Sequence, residues 1–232
     1  MDLFQHNTLA ALMSGLYEGT MTIHDLLTHG DFGIGTLAGI NGELIILDGK
    51  AFVASADNTV RSVQPDEVIP YGAVTHYEPS ISFLQENPIN SEPLFHTIEN
   101  SFPSKNTFYA IKLTGSFQQM QVRMSPGGEE GEPFVKITEH QPEYTENNIK
   151  GSAIGFWTPE MFHGVSVAGY HLHFLSDAQN FGGHILDFSG FEGSVEVSQV
   201  ERLIQSFPIH SQNFLSANLD LDKLKSDIRQ AE

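Results

Sequence analysis

The sequence predicts a β-dominated α+β (mixed α/β) protein, with mixed or antiparallel sheets and a few helices. Two observations carry this. Short apolar or alternating runs recur along most of the chain, and turn-forming pairs punctuate them: Asn41-Gly42, Asp48-Gly49 and Asp57-Asn58. Helical periodicity, by contrast, is confined to a few segments. Residues 8–17 and 22–28 carry helix signals, the second capped by Thr20 or Thr22 and closed near Gly30. Strands are expected at 34–40 and 43–48 around Asn41-Gly42, then near 51–55 and 59–63, together a four-stranded meander. Helical spacing returns at 91–102, where Leu94, Ile98 and Phe102 share a face.

Residues 108–116 and 119–125 read as a second hairpin turning at Gly115-Ser116, and 125–133 as a polar, Gly-rich loop. Further strands are expected near 151–157, 166–175, 183–188 and 194–200, with a short charged helix at about 220–230. A division near residue 150 would separate an N-terminal mixed-sheet lobe (1–150) from a C-terminal β-rich lobe (151–232), the two forming one catalytic unit.

Composition narrows the chemistry. With no cysteine among 232 residues, disulfides, thiolate nucleophiles and thiolate metal sites are excluded, so a transition metal must be held by histidine and carboxylate. The net charge of -18 repels phosphate backbones and argues against a nucleic-acid partner. No apolar run approaches the ~20 residues of a membrane helix. The N-terminus lacks the basic region of a signal peptide, so a cytoplasmic location is expected.

The most informative segment is GYHLHFLSDAQNFGGHILDF, residues 169–188. In a strand, His171 and His173 point to one face, while Leu172 and Phe174 point to the other. A hairpin turn centred between Ala178 and Gln179 sets His184 directly opposite His173, and all three imidazoles then converge. Three neutral imidazoles with open positions form the pattern of a catalytic zinc site. A lone His-x-His is weak; a third histidine in register is what gives it weight. The other eight histidines have no comparable partners.

GFWTPEMFHGVSVAGYHLHFLSDAQNFGGHILDF (155–188) resembles the signature region of bacterial acetolactate decarboxylases. The resemblance extends through 30–49, 108–115 and 214–232, in colinear order over nearly the whole chain. It implies zinc-dependent conversion of 2-acetolactate to acetoin and carbon dioxide by a homodimer of mixed-sheet architecture. It places the Zn2+ ligands at His171, His173 and His184. It also implies roles for Thr36, Glu43, Arg123 and the final residue, Glu232.

The residues themselves are compatible with those roles. If Asn41-Gly42 is a two-residue turn, Ile40 faces Glu43, and Thr36 looks into the same space. On 119–125, Met120, Val122 and Met124 take one face while Gln121 and Arg123 take the other. Loss of carbon dioxide from a 3-oxo acid leaves an enolate, an enediolate where C2 carries a hydroxyl as in 2-acetolactate, and a Lewis-acid metal can stabilise it. Arg123 would orient the carboxylate, Glu43 (with Glu232) would deliver the proton, and Thr36 would supply a hydrogen bond. Two other readings fit the histidines: a cupin-like mononuclear iron dioxygenase, and a non-catalytic zinc or small-ligand binding module. The first lacks its expected glutamate three to six residues after His173; the second would need neither Arg123 nor Glu43 near the metal.

Overall fold

The strand-rich expectation holds in the computed structural model, which describes residues 1–219. The helix expected at about 220–230 lies outside the described residues. Strands β1 (Asp2–His6), β3 (Phe32–Thr36), β4 (Glu43–Leu47), β5 (Lys50–Ser55), β6 (Thr59–Ser62), β8 (Tyr71–Thr75) and β15 (Arg202–Ser206) form one sheet. Its order is β15-β1-β8-β3-β4-β5-β6, with β1 and β15 parallel and the other neighbours antiparallel. The predicted meander is β3 to β6. A small ribbon pairs β2 (Met21–Thr22) with β7 (Val68–Ile69).

The second sheet holds β9 (Ile81–Ile89), β10 (Tyr109–Arg123), β11 (Glu143–Thr158), β12 (Gly169–Ser176), β13 (Gly182–Ser189) and β14 (Phe191–Gln199). Its order is β11-β12-β13-β10-β14-β9, and β10 also pairs with β11. Strands β10 to β13 therefore close a ring. Position 150 falls inside β11, and β15 joins the first sheet from the far end of the chain.

One sequence expectation is corrected here. Gly115-Ser116 is not a turn: β10 runs unbroken through it. Gly115 faces Gly151 of β11 on one side and Gly193 of β14 on the other. A Cβ at Gly115 would lie 2.1 Å from the Glu192 carbonyl oxygen, so this glycine serves close backbone approach. The glycine row lets β10 change neighbours, from β14 along 109–116 to β13 along 119–123.

The core fills the space between the sheets, where Ile34, Ile45 and Phe52 meet Val122, Met124, Leu172 and Phe174. Leu44 and Ile46 point to the opposite face, under α2 (Ile23–Leu27), with Ile23 and Leu26. Burial on both faces explains why β4 reads as the unbroken apolar run Leu44–Leu47. Thr22 caps α2, accepting from the Asp25 amide at 3.0 Å. Helix α1 (Leu9–Met13) is shorter than its signal: Thr8 caps its start, and Gly15 leaves helical geometry at φ 94°. Helix α3 is Ser91–Asn100, burying Leu94 and Ile98 as their spacing predicts. Helices α4 (Phe134–Thr138) and α5 (Gln212–Ser216) carry no clear sequence signal.

Candidate metal centre

His171 and His173 come from β12 and His184 from β13, and His173 sits directly opposite His184, as the hairpin register predicts. One nitrogen from each ring lies within 4.8 Å of the others. All three rings are buried, at 8%, 1% and 7% exposure. Leu172 and Phe174 pass to the core behind them.

Burial is the first cause of the ring electrostatics. It pushes His173 down to about 4, with the Arg123 charge adding to the fall and the Leu44 carbonyl opposing it. His171 and His184 are lowered well below the ordinary histidine value, again by burial first and then by His173 for the former and Arg123 for the latter. The imidazoles are thus neutral at pH 7, the protonation state a metal requires.

The tautomers follow from their partners. His173 Nδ1–H donates to the Leu44 carbonyl at 2.8 Å, which leaves the Nε2 lone pair facing the cavity. Arginine can only donate, so the Arg123 Nη2 contact at 3.2 Å identifies His184 Nε2 as another lone pair. His173 Nε2 and His171 Nδ1 are buried without a hydrogen-bond partner among the described residues. Buried acceptors clustered this way fit a cation, and with no cysteine the donor set is the all-imidazole one that suits zinc.

Residues 37–42 correct a second expectation. Asn41-Gly42 does not close a two-residue hairpin. Thr36, not Ile40, pairs with Glu43, and the connection is a loop with a 3₁₀ turn at Ala38–Ile40. The Asn-Gly pair is instead engaged by the segment after β10. Asn41 bridges Pro126, and the Gly42 N–H donates to the Ser125 carbonyl at 3.1 Å. Ile40, a β-branched residue, is held at φ 49° with its side chain in the cavity wall.

The revised register still brings Thr36 and Glu43 to the histidines. Glu43 Oε2 lies 3.4 Å from His173 Nε2, and Oε1 accepts from the Ser125 amide at 3.0 Å. Arg123 ends β10 opposite His184. Thr36 donates from Oγ1 to the Gly42 carbonyl at 2.7 Å. Glu232 lies outside the described residues.

These side chains line one small cavity. Its apolar wall comes from Leu9 and Leu12 of α1, Phe134 of α4, Ile40 and Tyr71. Sequence reasoning missed that wall, along with Ser125 and Gln141. The alternation that placed Arg123 could have reached Ser125, two residues on.

Residues 3–221 match the family model for alpha-acetolactate decarboxylase. The chain belongs to the alpha-acetolactate decarboxylase family. It is 54% identical over 231 residues to the alpha-acetolactate decarboxylase of Lactococcus lactis subsp. cremoris, covering 100% of this chain and 98% of that one. The Bacillus subtilis alpha-acetolactate decarboxylase is 32% identical, with 100% and 91% covered. The crystal structure of alpha-acetolactate decarboxylase from Bacillus subtilis strain 168 superposes with a TM-score of 0.96 at 32% identity, covering 100% and 99%. A Staphylococcus aureus protein described as similar to alpha-acetolactate decarboxylase gives 0.97 at 40%, with full coverage of both chains. Membership of the alpha-acetolactate decarboxylase family makes this protein a carboxy-lyase. No helix among the described residues is long and apolar enough to cross a membrane.

Proposed function

We propose that this protein decarboxylates 2-acetolactate to acetoin, using a zinc ion held by His171, His173 and His184. The observation that carries the reading is one buried cavity in which three neutral imidazoles face both a guanidinium and a carboxylate. A zinc ion held by these three histidines would supply Lewis acidity at the substrate's ketone.

The chain's own residues do the rest. Arg123 offers a planar, charged fork to the substrate carboxylate, holding the bond that must break. Departure of carbon dioxide leaves an electron pair on the former C2, delocalised as an enediolate. Glu43 delivers a proton to it, from one face only, because the Ser125 amide fixes its other oxygen. Glu232 is the second candidate for that proton. Thr36 acts through the loop: its hydroxyl holds the Gly42 carbonyl, and Gly42 holds Ser125. Leu9, Leu12 and Phe134 keep bulk water from the carbanion and accept the substrate's methyl groups.

Contacts of Glu43 and Arg123 with the histidines weigh against a non-catalytic binding module, and family membership weighs against the iron dioxygenase. The same reading takes the protein to be a cytoplasmic homodimer. Exposed Leu84 and Ile204, on edge strands β9 and β15, are apolar surface that a second copy would cover.

The test is direct. Purified protein supplied with acetolactate should release acetoin and carbon dioxide, lose that activity to a chelator, and regain it with zinc. Recovery with ferrous iron and oxygen uptake, without carbon dioxide release from acetolactate, overturns the reading.

A further inference from the structure

Two oxygen atoms in the cavity wall are buried without a hydrogen-bond partner among the described residues: Ser125 Oγ and Gln141 Oε1. Their placement follows from strand register. Arg123 of β10 faces Glu143 of β11, and the Met124 amide donates to the Pro142 carbonyl at 3.2 Å. That bond carries the pairing one step past the strand ends, and the next step sets Ser125 opposite Gln141. Side chains two apart share a face, so Ser125 lies beside Arg123 while Met124 turns into the core. Ser125 is only 1% exposed, so its hydroxyl has no access to bulk solvent.

The two groups face the same cavity, yet no hydrogen bond joins them. A hydroxyl can donate; a carboxamide oxygen can only accept. Buried polar atoms left unpaired are costly, so this pair is complementary to a ligand that accepts at one point and donates at the other. Beside a guanidinium, the matching chemistry is a 2-hydroxy carboxylate.

We propose that Ser125 and Gln141 recognise the 2-hydroxy acid end of the substrate. Ser125 Oγ–H donates to the carboxylate alongside Arg123, and Gln141 Oε1 accepts from the tertiary hydroxyl. This rests on the acetolactate reading above. It adds to that reading two contacts that select hydroxy acids over acids lacking the hydroxyl.

The experiment measures binding to the zinc-loaded protein by calorimetry, with two unreactive probes. One is 2-hydroxy-2-methylpropanoate; the other is 2,2-dimethylpropanoate, in which a methyl replaces the hydroxyl. Wild type should prefer the hydroxy acid. Gln141→Met should erase that preference, weakening the hydroxy acid by about tenfold and the other acid little. Ser125→Ala should weaken both acids by about the same factor and keep their ratio. Zinc content and melting temperature, measured alongside, should stay at wild-type values, because neither side chain has a bond to lose. Variants that bind both acids as wild type does overturn the proposal, as does a Gln141→Met variant that weakens both equally. Acetoin release by the wild type is scored separately. Its absence overturns the decarboxylase reading, whereas its presence with unaltered variants overturns this inference alone.

Discussion

Thr36→Val separates two roles that one residue could play in this cavity. Valine keeps the branched shape and the strand preference but removes the hydroxyl. In the structure that hydroxyl donates to the Gly42 carbonyl at 2.7 Å, in a place only 4% exposed. Losing one such bond costs about 1 kcal/mol, and up to about 3 kcal/mol if the abandoned carbonyl stays buried. For a chain of this size each kcal/mol moves Tm by roughly 2–4 °C, so a fall of about 2–12 °C is expected. The effect should travel further. Gly42 holds Ser125, and the Ser125 amide holds Glu43, so a loosened loop misplaces the Glu43 carboxylate. The expected kinetic signature is a severalfold fall in kcat with KM nearly unchanged. Thermal unfolding by circular dichroism and steady-state acetoin formation read the two effects. A raised KM with Tm and kcat intact would refute the argument and make Thr36 a direct substrate contact.

Other perturbations test the remaining links. Glu43→Gln should retain zinc but slow turnover by more than about tenfold, the usual scale of a lost proton donor; near-normal turnover removes Glu43 from the mechanism. His173→Ala should fail to retain zinc and form no acetoin, and a metal-free variant with full activity would sink the metal centre. Burial lowers the His6 imidazole to about 4, against about 6.5 in an unfolded chain. The stability this gives is complete above pH ~6.5 and lost as pH falls toward 4, by about 3 kcal/mol at most. Denaturant midpoints between pH 4.5 and 7 should therefore fall less steeply in His6→Asn, and an identical pH slope would rule the effect out. Gly115→Ala should destabilise by several kcal/mol, because the added carbon meets backbone on a neighbouring strand; a wild-type Tm would refute the close-approach account.

The three clustered histidines were legible because everything that places them is local. A strand period of two and one hairpin turn suffice for His171, His173 and His184, and the structure reproduces that register residue for residue. Alternation likewise separated Met120, Val122 and Met124 from Arg123. Turn chemistry misled where glycine had a tertiary purpose. Gly115 is required by a neighbouring backbone, and Asn41-Gly42 by the segment at 125–126, and neither partner is visible from the local sequence. Strands β1, β9 and β15 escaped notice for a different reason. Polar residues break the apolar alternation of β15 and β9, which are edge strands, and β1 buries the polar Gln5 and His6. The cavity's apolar wall is a tertiary product too, drawing on α1 and α4 from opposite halves of the chain.

The bond between His173 and the Leu44 carbonyl spans 129 residues and joins the two sheets. Its partners across the hairpin, by contrast, are neighbours in the chain. During folding, the β12–β13 hairpin can therefore gather its three imidazoles long before the sheets dock, because short loops close sooner and with less entropy lost than long ones. Only docking fixes the His173 tautomer and brings Glu43 to the centre. On the zinc reading, metal capture and catalytic competence would then be separate events in the folding of the chain. In a refolding experiment, zinc uptake should run ahead of the recovery of acetoin formation.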